Sequence, residues 1–250
     1  MRILKTCLLV LAATAAAQAG AAITYGNVTS DIIYGSGNGN GGFTIDTAGG
    51  VELGLRAHVR FPVPQDVFNS NGNGTYNHLA GGGTPATRAL WNFDFSVNSN
   101  RSGATTGPNL SAFNYTLGMD YDPSAAMVFD TFNLNTSTFL DNSFGNNATP
   151  NGAGTDATPA TYLTLLGSNS VMQNSFNLDF FNEFFVRTFN PNADGEYSFF
   201  LEARSLAGGF LARSNITVIV GNGAAVPEPA SLALVGLGLL GAFAARRRVR

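Results

Sequence analysis

His58 and His78 are the only imidazoles in the chain, and so the first residues to test for acid–base, nucleophilic or zinc chemistry. His58 falls between Arg56 and Arg60 on the polar phase of an alternating run, and His78 sits in an Asn- and Gly-rich loop. Zinc requires three or four nitrogen, sulfur or carboxylate ligands in fixed geometry. The only cysteine, Cys7, lies at the extreme N-terminus. A serine nucleophile is expected on a Gly-x-Ser-x-Gly elbow or in line with a base, and no such elbow occurs. Both histidines therefore read as solvated surface residues. Asp120, Asp122 and Asp130 invite comparison with the carboxylate pair of a glycoside hydrolase, whose chemistry depends on separation in space; Asp122-Pro123-Ser124 reads more simply as a turn. Asn190-Pro191-Asn192-Ala193-Asp194-Gly195-Glu196 has the opening of a calcium loop, with Asn190, Asn192 and Asp194 as weak candidate ligands. The closing bidentate Glu would fall on Leu201, and Asp194-Gly195 is a strong hairpin signal. Gly35 to Gly42 lacks the Lys-Ser/Thr end of a phosphate loop. No catalytic residue, cofactor or metal is assigned on these patterns.

The elements that must hold these residues are strands. Val51, Leu53, Leu55, Ala57, Val59, Phe61 and Val63 occupy every odd position of one stretch, with Glu52, Arg56, His58 and Arg60 between them. Trp91, Phe93, Phe95 and Val97 alternate with Asn92, Asp94, Ser96 and Asn98. The same period of two runs through Phe113 to Tyr121, Phe176 to Phe180, Tyr197 to Ala203 and Ile216 to Val220. Each reads as a strand with one buried and one wet face. No convincing stripe at helical spacing precedes Ala230. Loops rich in Asn, Gly, Ser and Thr separate the strands at Gly35–Gly42, Asn69–Gly83, Ser99–Asn109 and Asn142–Pro159. The expected fold is all-β: a single antiparallel sandwich of six to nine strands, jelly-roll or immunoglobulin-like, with a barrel as the alternative. It should span residues 23–225.

Charge narrows the partners. Charged residues are only 12% of the chain, about half the usual share of roughly 25%. Seven arginines face fifteen acids between residues 23 and 225, leaving a net charge of −8. A lysine-free acidic domain repels a phosphate backbone, so nucleic acid is not an expected partner. The 20 phenylalanines argue against disorder. With Cys7 outside the domain, stability must come from core burial without disulfides.

Both ends carry processing patterns. Residues 1–22 have the layout of a secretory signal: Arg2 and Lys5, an apolar stretch from Cys7, and small residues Ala17 and Ala19 at the −3 and −1 positions of a cleavage site before Gly20. Such a segment engages the secretion translocon as a helix. At the other end, Pro227-Glu228-Pro229 fixes a non-helical entry. Apolar residues rich in Gly and Ala follow, and Arg246, Arg247, Arg248 and Arg250 close the chain. A helix over residues 230–245 would be roughly 24 Å long. That is short of the ~30 Å hydrocarbon core, though arginines can snorkel to the interface. The arginines should stay cytoplasmic, leaving the domain outside.

Pro227-Glu228-Pro229, the short Gly-rich helix and the terminal arginine run, in that order over residues 226–250, resemble the PEP-CTERM sorting signal of Gram-negative bacteria. The resemblance implies a tail anchored transiently in the inner membrane, recognised by an exosortase-type protease and cut near Pro-Glu-Pro. It also implies a final place at the cell surface or outside, with a link to exopolysaccharide and biofilm. It says nothing of the central domain, for which a non-catalytic structural or adhesive role is expected. A carbohydrate-binding module is the alternative, and a secreted glycoside hydrolase a more distant one. Aromatics on a wet face would favour sugar binding; Phe181, Phe184, Phe185 and Phe189, between two strands, are where to look.

Overall fold

The computed structural model describes residues 23–29, 39–62, 67–185 and 188–223. The N-terminal signal, its Ala17 and Ala19, and the sorting tail with its Pro-Glu-Pro element, helix and arginines lie outside the described residues. The alternating runs form strands in two sheets. The first has seven strands, in the order β1 (Thr24–Asn27), β2 (Phe43–Ala48), β3 (Val51–Val59), β5 (Trp91–Asn98), β10 (Val171–Phe176), β8 (Ser143–Gly145) and β9 (Thr155–Asp156). The second has five, in the order β4 (Thr75–His78), β12 (Phe210–Val220), β11 (Gly195–Ser205), β6 (Phe113–Asp120) and β7 (Phe129–Asn133). Every strand pair is antiparallel except β4 with β12. A short helix, α1 (Tyr162–Ser168), and 3-10 turns at Leu110–Ala112 and Leu178–Glu183 lie between strands.

The odd-numbered residues of β3, β5 and β11 and the even-numbered residues Ala212, Ile216, Val218 and Val220 of β12 share one core. Phe93 stacks on Phe199 with ring centroids 4.4 Å apart, and Trp91 meets Phe189, Tyr197 and Phe199. Fused aromatic and aliphatic faces of this kind are the main source of stability in a disulfide-free sandwich. Tyr76 of β4 ties the layers together: its hydroxyl donates to the Gly42 carbonyl at 2.7 Å and lies 3.0 Å from Thr44 Oγ1 of β2.

The reading of one wet face per strand is corrected for the seven-stranded sheet. Glu52, Arg56 and His58 of β3, and Asn92, Asp94, Ser96 and Asn98 of β5, are all buried. Around Arg56 the outer face is covered by Phe43, by Phe68 and by backbone of residues 39–42. The Arg56 guanidinium lies over the Phe43 and Phe68 rings at 4.4 and 4.6 Å and donates to the carbonyls of Gly39 and Gly41. Gly42, at φ +69°, takes a backbone shape that favours glycine, and a Cβ there would overlap Phe68. Covered charge obeys the same alternation as solvated charge, so periodicity alone does not separate them.

Three further expectations are revised. Phe176 to Phe180 is not one strand: β10 ends at Phe176 and the chain turns into the 3-10 segment, so Phe180 points to solvent at 42% exposure. The loops Asn69–Gly83 and Asn142–Pro159 contain β4, β8 and β9, strands too short for a period to show. The strand predicted to reach Val63 ends at Val59.

Candidate functional site

The polar side chains outside the seven-stranded sheet form cross-strand rows set by register. Arg56 pairs with Asp94, and Asp94 with Ser175; His58 pairs with Asn92 one step along. Arg56 Nε lies 2.5 Å from Asp94 Oδ2, and His58 Nε2 lies 3.2 Å from Asp94 Oδ1 and 3.3 Å from Ser175 Oγ. Burial pushes the Asp94 carboxyl up, but the charges of His58 and Arg56 outweigh it and hold the group well below the usual carboxylate range. Ser, His and Asp are thus adjacent, a juxtaposition that their separation in sequence conceals. The geometry differs from a nucleophilic triad, in which the acid and the nucleophile contact opposite ring nitrogens. Here both contact Nε2, and His58 and Asp94 are sealed from solvent.

His58 and His78 are therefore buried, where solvated surface residues were expected. His78 ends strand β4 and stacks on Trp91 at 6.0 Å between centroids. Desolvation, with a smaller contribution from the charge of His58, lowers its pKa to about 4. Asp120 is buried and Asp122 half-buried, and each accepts a hydrogen bond from a backbone N–H two residues on, as in an Asx turn. Asp130 stands across from Met119 on the edge strand β7. In the Asn190–Glu196 segment, Asn190 Oδ1 accepts from the Asn192 N–H, and Asp194 Oδ2 accepts from Asn222 Nδ2 at 2.8 Å. The Asn190 and Asp194 side chains are thus engaged at the turn into β11. Among the described residues no group of three His, Cys, Asp or Glu side chains is placed to hold a metal ion.

The same polar rows open at one end into a groove of about 210 Å³, lined by Arg60, Arg88, Asn92, Asp141, Asn174, Ser175, Phe176, Asn177, Asp179 and Phe180. Its floor is fixed from beneath. Asn177 bridges to the backbone of Ala89 and Trp91 and to Asn92 Oδ1, and Asn92 Nδ2 donates to Ser175 Oγ at 3.0 Å. Its walls are mixed in charge: Asp141 accepts from Asn174, and Asp179 accepts from Thr87 and lies 3.7 Å from Arg88.

A ribbon of rings leads out of this groove. Phe176 stacks with Phe180 at 5.7 Å, Phe180 meets Phe184 at 5.8 Å, and Phe184 stacks on Phe139 at 4.5 Å. Phe139, Phe180 and Phe184 are 41%, 42% and 45% exposed. Of the four phenylalanines singled out in the sequence, Phe184 belongs to this surface, Phe185 is half-buried, and Phe181 and Phe189 are core. In the sequence Phe180 reads as the buried end of an alternating run, whereas Phe139 and most of the polar lining come from separate segments that share no pattern. A second groove, apolar and about 400 Å³, lies beside Phe61, Leu79, Leu90 and His78.

The tail can be placed independently of this geometry. Residues 225–248 match the PEP-CTERM protein-sorting motif. The match covers the Pro-Glu-Pro element and almost the whole of the apolar and arginine-rich segment, and it marks an exported protein processed by an exosortase after transient anchoring in the membrane. No curated protein and no solved structure matches the chain. The β domain must therefore be read from its own residues. Among the described residues no helix is long and apolar enough to cross a membrane.

Proposed function

We propose that this protein is a non-catalytic structural or adhesive component of the bacterial cell surface or extracellular matrix, linked to exopolysaccharide. In this reading the signal at residues 1–22 brings it to the translocon, and the helix at 230–245 with its arginines holds it in the inner membrane. An exosortase then cuts near Pro227-Glu228-Pro229. The observation that carries the reading is the sorting motif at residues 225–248, joined to a disulfide-free β domain. The enclosed His58–Asp94 pair behind the half-buried Ser175 supports a structural role, since substrate cannot reach the histidine. A second reading, a carbohydrate-binding module, is favoured by the exposed rings of Phe139, Phe180 and Phe184 beside a polar groove.

Intact mass of the protein recovered from wild-type cells and from cells lacking the exosortase tests the main reading. A species ending near residues 226–229 in wild type, and a full tail in the mutant, are expected. An identical full C-terminus in both would make the tail a plain anchor and remove the main support for a released surface protein.

A further inference from the structure

We infer that the groove between Asp141 and Asp179, with the Phe180–Phe184–Phe139 ribbon leading from it, binds a neutral polysaccharide. One sugar unit would sit in the groove and its neighbours along the rings. The inference rests on the carbohydrate-binding reading of the domain and is independent of how the tail is sorted.

A pyranose ring has two chemistries at once, a face of C–H groups and a rim of hydroxyls that both donate and accept. The site offers both in sequence. Asp141 and Asp179 can accept, Arg88 can donate, and Phe180 borders the groove at 42% exposure. Binding sites generally combine apolar walls with a few oriented polar groups in this way. At about 210 Å³ the groove is smaller than the roughly 300–1,000 Å³ typical of sites that enclose a whole drug-sized ligand. That suits one unit of a chain continuing over the surface better than an engulfed small molecule. Exposed aromatics gathered in one contiguous patch mark interaction surfaces, whereas scattered ones need no explanation. Phe210, the first residue of β12, touches none of these rings and carries the Arg204 guanidinium over its face at 6.0 Å.

Charge selects within the polysaccharides. The groove's two arginines and two aspartates balance, and the domain as a whole carries −8. A polyuronate would be repelled at long range, and an anionic lipid surface would meet the same field without the basic face that membrane-surface helices present. Neutral hexose polymers meet no such penalty.

Affinity electrophoresis of the protein recovered from the cell surface tests this, in gels containing a mixed-linkage β-glucan, a galactomannan, an arabinogalactan or alginate. Retardation by at least one neutral polymer and none by alginate is expected. Phe184→Ala and Asp141→Ala should each weaken the retardation about tenfold, while Phe210→Ala changes it less than about twofold. The thermal midpoints of all three should match that of the unaltered protein, since these side chains are exposed. Retardation that survives Phe184→Ala and Asp141→Ala would overturn the site but leave the domain a carbohydrate binder. No retardation by any neutral polymer, or retardation by alginate alone, would overturn both. Release of reducing ends from a retarding polymer would overturn the non-catalytic reading, and a dimer broken by Phe184→Ala would assign the patch to a second copy of the chain.

Discussion

At the scale of single residues, the buried ion pair is the most exposed to mutation. Arg56 and Asp94 are wholly enclosed, and removing one partner of such a pair strands the other charge. Asp94→Ala should cost about 3–5 kcal/mol in urea unfolding. The double variant Arg56→Met, Asp94→Leu should recover most of that loss, because well-packed apolar replacements of a buried pair are often neutral. His78 gives the fold a pH dependence of defined sign. Its ordinary pKa of 6.5 falls to about 4 in the folded protein, so between those values the unfolded chain binds a proton that the native state refuses. Stability from this residue is complete above pH 6.5 and declines as pH falls toward 4, by on the order of 3 kcal/mol at about 1.4 kcal/mol per unit. Urea midpoints at pH 7.5 and 5.0 should differ in that direction. His78→Gln should flatten the difference, and an unchanged slope would overturn the assignment to His78.

At the scale of elements, the period of two was a good guide to strands and a poor guide to solvent. The runs Trp91–Val97, Phe113–Tyr121 and Tyr197–Ala203 fall within or almost within β5, β6 and β11. The expected strands alternate because one face packs on the other sheet, and that condition holds for either a wet or a covered second face. What covers the second face comes from outside the strand, as when Phe68, 12 residues on, reaches Arg56, and no pattern within the strand announces it. The candidate groove was illegible for the same reason. Arg88, Asp141, Asn174 and Asp179 come from a loop, the approach to β8, the strand β10 and a 3-10 turn, and only register brings them together. Phe184 alone was legible, because a cluster of phenylalanines outside the alternating runs already stood out. The outer face of the five-stranded sheet makes the same point through packing. Phe200 of β11 lies over Gly118 of β6, against Phe129 and beneath the Arg213 guanidinium at 3.8 Å. Any Cβ at position 118 would overlap that ring. Gly118→Ala should destabilise by about 1–3 kcal/mol, and adding Phe200→Ala should relieve the clash. Strict additivity of the two losses in a double-mutant cycle would show that the contact carries no coupling.

At the scale of the whole molecule, the β domain and the tail make separable demands. The domain's core is built from both sheets, and its last strand, β12, ends at Val220. The tail's proposed role rests on backbone chemistry at its entry. Pro227 and Pro229 each remove an N–H and fix φ, and each restricts the residue before it to extended shapes. A protease that accepts extended substrate needs that break between the domain and the apolar segment. Replacing Pro227, Glu228 and Pro229 together by alanine, the best helix former, would let the helix expected from residue 230 run back toward the domain. The expected outcome is a chain of full C-terminal mass in the inner-membrane fraction, with the urea midpoint of its β domain unchanged. Release of the triple-alanine chain at the wild-type position would show that the apolar segment and the arginines suffice for recognition. The Pro-Glu-Pro element would then be a spacer, and the cleavage site would have to be sought on either side of it.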